Sequence, residues 1–204
     1  MSGLFYLRTE IVMTTDIIIA TIRNELIRAI SALDSWFDRD DAVMNHRSAT
    51  VGCSVRELLE HVMITNRFLL NFIDQGSAKV IVKRDTQEMN ILLSNYCLEN
   101  DTLMENEVYK SFDWGKGHAV SDGTMSLQEV RSEIREQLDR CLIHLELLDN
   151  GHGILYKTGL PVAGSEKLDI YQNIFLLARH VKRQLTQLDK ILADYDETLE
   201  NAGC

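Results

Sequence analysis

The sequence predicts an all-α protein, and three observations carry that reading. One proline and eleven glycines in 204 residues leave too few turn signals for a sandwich or barrel, which needs them every ~8–12 residues. Hydrophobic residues make up 45% and charged residues 25%, the balance of a globular chain with its own core. Apolar residues recur at three- and four-residue steps over four long stretches, the spacing of an amphipathic helix. At ~100–200 residues per domain, the length allows one domain.

The first helix is expected from Asp16 to Phe37, with Ile19, Ile22, Leu26, Ala29, Ile30, Leu33 and Phe37 on one stripe. Thr14, Thr15 or Asp16 can cap it, because a short side-chain oxygen accepts a free first-turn N–H. The second opens on Ser54-Val55-Arg56-Glu57, a capping box, and continues with Leu58, Val62, Thr65, Leu69 and Phe72 on one face. Gly76 then stands where a left-handed residue after the last turn is expected. Between Ser77 and Thr124 the periodicity weakens to a short helix over Thr86 to Tyr96 and a loop at Trp114-Gly115-Lys116-Gly117-His118.

The third helix starts with a further capping box, Ser126-Leu127-Gln128-Glu129. It runs to Leu148 with Val130, Ile134, Leu138, Cys141 and Leu145 inward, and Asn150-Gly151 stops it. A connector with Pro161 leads through Ser165 to the fourth helix, Glu166 to Tyr195, with Ile170, Ile174, Leu177, Val181, Leu185, Leu188 and Leu192 inward. Four helices ~30–45 Å long can share one core as a bundle with a longer connector between the second and third. Residues 14–196 form that bundle in this reading, between an N-terminal tail, 1–13, and a C-terminal tail, 197–204. Met13 offers a second start immediately before the first helix.

Charge narrows the partners. Lys+Arg number 21 against 31 Asp+Glu, a net charge of −10, which repels phosphate backbones and argues against nucleic acid and anionic lipid. No apolar run approaches the ~20 residues of a membrane span. Leu4–Leu7 is broken by Arg8 and Glu10, so no secretory signal is expected. Cys53, Cys97, Cys141 and Cys204 form no CxxC pair, which suits reduced thiols in the cytoplasm.

HExxH, GxSxG, P-loop and GxGxxG motifs are absent from the sequence, and no histidine follows a glutamate by three residues. What stands out is polar residues on faces that should be apolar. His61 follows Leu58 by one turn, and Asn173, His180, Gln184 and Gln187 form a polar strip along the fourth helix. A buried unpaired imidazole or amide costs a few kcal/mol, so the strip must be satisfied by partners, water or a metal. Taken singly, each histidine reads as a core residue donating to backbone or amide groups. Two on facing helices point to a metal, which needs about three such ligands. His46, His144 and His152 show no partner pattern and read as surface residues.

The stretch Ser54-Val55-Arg56-Glu57-Leu58-Leu59-Glu60-His61-Val62, followed by Asn66-Arg67-Phe68-Leu69, resembles the second-helix motif of the DinB/YfiT-like metalloenzyme family. Lys167-Leu168-Asp169-Ile170-Tyr171-Gln172, running on to His180-Val181-Lys182-Arg183-Gln184-Leu185-Thr186-Gln187, is similar to its last helix, which commonly reads H-x-x-R-H-x-x-Q. The resemblance implies an up-down-down-up four-helix bundle, a homodimer, and one nickel, zinc or manganese ion. It implies a small-molecule substrate and thiol-dependent S-transfer, isomerisation or hydrolysis, with the metal activating a low-molecular-weight thiol. The ligand set becomes His61, His180 and Gln184, the last replacing the family's second histidine. A glutamine carbonyl suits hard cations and is weaker than imidazole for zinc or nickel.

Glu57, Thr65, Asn173 and Gln187 would line or support the site. His118, in the connector, is placed to approach its mouth, although an exposed loop histidine is the plainer reading. Cys53 stands where relatives have tryptophan and reads as packing. The alternative from a different class is a metal-free bundle, in which the same polar residues satisfy one another and the chain serves as a binding or dimerisation module.

Overall fold

A computed structural model of the chain describes residues 14–80, 86–98, 124–159 and 167–202. Helix α1 spans Thr15–Asp34 and passes into a 3₁₀ turn, Ser35–Asp38. Helices α2, Asp41–Asn45, and α3, Val55–Lys79, follow, then α4, Thr86–Ser94, and α5, Leu127–Leu147. A 3₁₀ turn, His152–Leu155, leads to β1, Lys157–Gly159, which pairs antiparallel with β2, Lys167–Asp169. Helix α6, Ile170–Ala202, completes the chain. The protein is mostly helical, as the sequence predicts, and the short β1–β2 ribbon is its one sheet among the described residues.

Helices α1 and α3 each pack against both α5 and α6. Leu26, Leu33, Leu59, Leu69, Leu145 and Leu188 are all sealed from solvent in the shared core. Both capping boxes form: Ser54 and Glu57 exchange hydrogen bonds at the start of α3, and Ser126 and Glu129 do so at α5. Thr14 caps α1, its hydroxyl accepting from the Ile17 N–H. The inward stripe of α1 begins at Ile18 rather than Ile19, which is half-buried. Ion pairs tie the long helices together. Asp34 binds the guanidinium groups of Arg131 and Arg135 at 2.7 and 2.9 Å, and those bonds hold its carboxyl well below the usual carboxylate range.

Three expected boundaries are corrected. Gly76 does not end α3, which continues to Lys79. A Cβ there would stand 3.1 Å from Ile170 and 3.2 Å from Tyr156, so this glycine serves close approach of the segments around the start of α6. Helix α6 begins at Ile170 rather than Glu166, because Lys167–Asp169 is committed to the ribbon. Its cap is a box unmarked by serine: the Asp169 carboxylate accepts from the Gln172 N–H at 2.9 Å, and the Gln172 side chain accepts from the Asp169 N–H at 3.2 Å. The helix outlasts its apolar stripe, running past Tyr195 to Ala202, since no glycine or proline interrupts those residues. The expected stop at Asn150-Gly151 does follow the end of α5 at Leu147, and Gly151 takes a left-handed conformation at φ +85°.

Gly153 packs against the ring of Tyr171, which is fully buried and donates from its hydroxyl to the Leu148 carbonyl. A Cβ on residue 153 would fall 2.6 Å from that ring. Gly153→Ala should therefore lower stability by ~1–3 kcal/mol, the cost of overpacking a filled interior. Urea denaturation measures it, and an unchanged midpoint would mean that the turn shifts freely.

Candidate functional site

Helix α3 carries His61 at the end of its second turn, and α6 carries His180 at the end of its third. Both helices turn these residues inward, leaving His61 2% and His180 1% exposed. The two rings approach with centroids 5.7 Å apart and planes inclined at 60°. Burial, then the charges of His61 and Arg183, push the His180 pKa down to about 3. At neutral pH that imidazole is uncharged.

Two imidazoles sharing a tetrahedral ion at ~2.0–2.1 Å per bond would have ring centres about 5 Å apart. The observed spacing fits half of a divalent ligand set. Gln184, one turn beyond His180, is also buried and adds a carbonyl on the same helix face. Among the described residues, no three His, Cys, Asp or Glu side chains gather to hold an ion. His118 lies outside the described residues.

The remaining candidates divide. Thr65 lies one turn along α3 from His61, buried, and its hydroxyl has no hydrogen-bond partner among the described residues. Glu57 is occupied elsewhere: its carboxylate accepts from the Ser54 N–H at 2.7 Å and from Arg47 at 2.7 and 2.8 Å. Asn173 serves the ribbon, donating to the Thr158 hydroxyl and to the carbonyls of Leu168 and Asp169. Gln187 is half-buried two turns beyond His180. Cys53 is fully buried, and burial, with the charge of Glu57 adding, pushes its thiol up to about 11, a packing role and not a thiolate.

Sequence reasoning quoted Asn66 within the α3 motif but passed over it as a site residue, although it is completely buried with neither amide oxygen nor nitrogen hydrogen-bonded among the described residues. It also passed over Gln137, whose amide nitrogen donates to the Met63 carbonyl at 2.9 Å inside the core. An asparagine in the apolar run of α3 was the available signal. His46 and His144 are corrected from surface residues to partnered ones, His144 lying 2.7 Å from Asp74 and His46 3.6 Å from Asp194. No helix among the described residues is long and apolar enough to cross a membrane. Compared with protein-family models, curated proteins and solved structures, the chain finds no match in any of the three.

Proposed function

We propose that the chain is a metal-dependent enzyme of the DinB/YfiT-like type, carrying out thiol S-transfer or hydrolysis on a small molecule. Its divalent ion, nickel, zinc or manganese, would lie between α3 and α6 on His61, His180 and Gln184. The observation that carries this reading is the approach of two buried imidazoles from different helices, one of them kept neutral at physiological pH. A divalent ion supplies a lowered pKa to a thiol or water, making a nucleophile near neutrality. Gln184 brings a carbonyl without charge, which moves the preference toward a harder cation. Thr65 and Asn66, farther along α3, offer hydrogen-bonding atoms to a polar ligand.

The proposed architecture is an up-down-down-up bundle of α1, α3, α5 and α6. Residues ascending α3 pair with residues ascending α5, Arg67 with Glu133 and Asp74 with Arg140. Residues of α1 descend as α5 ascends, Asp34 meeting Arg131 and Arg23 meeting Glu146. Gly76, late in α3, abuts Ile170 at the start of α6. The sequence resemblance alone carries the accompanying proposals of a homodimer and a low-molecular-weight thiol, and the unpaired pattern of the cysteines carries that of a cytoplasmic location.

Elemental mass spectrometry on tag-free protein tests the metal. About one ion per chain is expected, with loss of the ion in His61→Ala while helical circular dichroism is retained. The absence of a third ionisable ligand among the described residues favours a second reading, a metal-free binding module. Protein that arrives empty and refuses added nickel, zinc and manganese would establish that reading instead.

A further inference from the structure

Away from the histidine pair, two adjoining hollows open where α1 begins and α5 ends, with volumes of ≈ 380 and ≈ 390 Å³. They share Asp16 and Asp149, so they form one groove, and none of its lining residues belongs to α3 or α6. Ile19 and Ala20 give it an apolar wall, backed by the sealed Leu145, and Asp16, Glu146 and Asp149 line its rim. Arg23 is the single cation among those lining residues and stands 3.8 Å from Glu146. One guanidinium against three carboxylates leaves the rim negative.

Asp16 stands in the first turn of α1, where an acid is favoured, and the other two carboxylates stand at the opposite kind of helix end. Helix α5 ends at Leu147, so Glu146 and Asp149 sit at the negative end of its dipole, where cations are favoured and anions are not. A cation docked there would be favoured by that end of the dipole. The apolar evidence is separate. Six of the seven exposed large apolar side chains among the described residues are carried by α1, α4 and α5 outside the groove's lining, with Ile17 and Leu147 the chain neighbours of Asp16 and Glu146. Exposed apolar surface rimmed by polar groups marks interaction sites.

We propose that this groove docks a cationic amphipathic segment of a partner protein. Its apolar side chains would rest on Ile19 and Ala20, and its Lys or Arg side chains would reach Asp16, Glu146 and Asp149. A second copy of this chain is the poorer occupant, because it would bring a −10 charge of its own against the acidic rim.

The test titrates the full-length chain into a labelled synthetic helix of leucine and lysine, with leucines at i, i+3, i+4 and i+7, followed by fluorescence anisotropy. Saturable binding that weakens with salt is expected. It should fall ~10-fold or more in the double variant Asp16→Asn/Asp149→Asn and in Ala20→Arg. Glu197→Gln/Glu200→Gln, the same charge change at exposed positions near the end of α6, should leave it unaltered. Equal weakening in both double variants would reduce the effect to net charge and overturn the proposal. So would absence of saturable binding, equal affinity for a peptide with glutamate in place of lysine, or self-association of the chain through the same groove residues.

Discussion

Replacing Gln184 with histidine should raise the affinity of the chain for nickel or zinc by ~100-fold or more, equivalent to about 2.7 kcal/mol. The position is buried and on the His180 side of its helix. Gln184 is 3% exposed and lies four residues after His180 on α6, so both side chains leave the same helix face. His180 is neutral at working pH, which removes the proton competition that weakens many histidine sites. An imidazole in place of the carboxamide changes the donor from a weak oxygen to the nitrogen that nickel and zinc prefer. Competition against a chromophoric chelator measures the gain, and His61→Ala/Gln184→His locates it. If the gain disappears without His61, all three side chains address one ion. A variant with unaltered affinity would show that residue 184 does not face the histidine pair, and the metal-free reading would follow.

The parts of this molecule that rest on neighbouring residues were legible in the sequence. Ser54 with Glu57 and Ser126 with Glu129 act across one turn, and both boxes form where expected. His61 and His180 were legible because each interrupts an apolar stripe, and a polar residue on such a stripe must face the interior. Gly76 illustrates what local reading misses. A glycine near a helix end normally signals termination, but this one answers to Ile170 and Tyr156, which no nearby residue announces. The start of α6 was displaced for the same reason: Lys167–Asp169 forms a strand through its partner across the connector. The acid partners of His46 and His144 lie on other elements, so their lack of a local pattern said nothing about their pairing.

Asp169→Asn should stabilise the protein by up to about 3 kcal/mol near pH 8 and make no difference below about pH 4. Asp169 is 1% exposed, and burial pushes its pKa from 3.8 up to about 6, against the opposing pull of hydrogen bonds from Gln172 and Tyr96 and the charge of Lys157. In strong acid the folded and unfolded chains both hold the proton, and the group contributes nothing. Between pH 3.8 and about 6 the unfolded chain ionises while the fold keeps its proton, so stability falls as pH rises. Above that window the loss is complete and constant. Asp34, Asp38 and Asp194 have lowered pKa values and act in the opposite sense, gaining stability as acid is removed. The wild-type pH profile therefore mixes the two, and the difference from Asp169→Asn isolates one. The substitution preserves the two bonds to Oδ1, because an asparagine oxygen can still accept from the Tyr96 hydroxyl and the Gln172 N–H. Urea denaturation across the pH range gives the comparison directly. A variant less stable than wild type near pH 8 would mean that the hydrogen bonds to the ionised carboxylate outweigh its burial, and the Asp169–Gln172 cap would then owe its strength to charge.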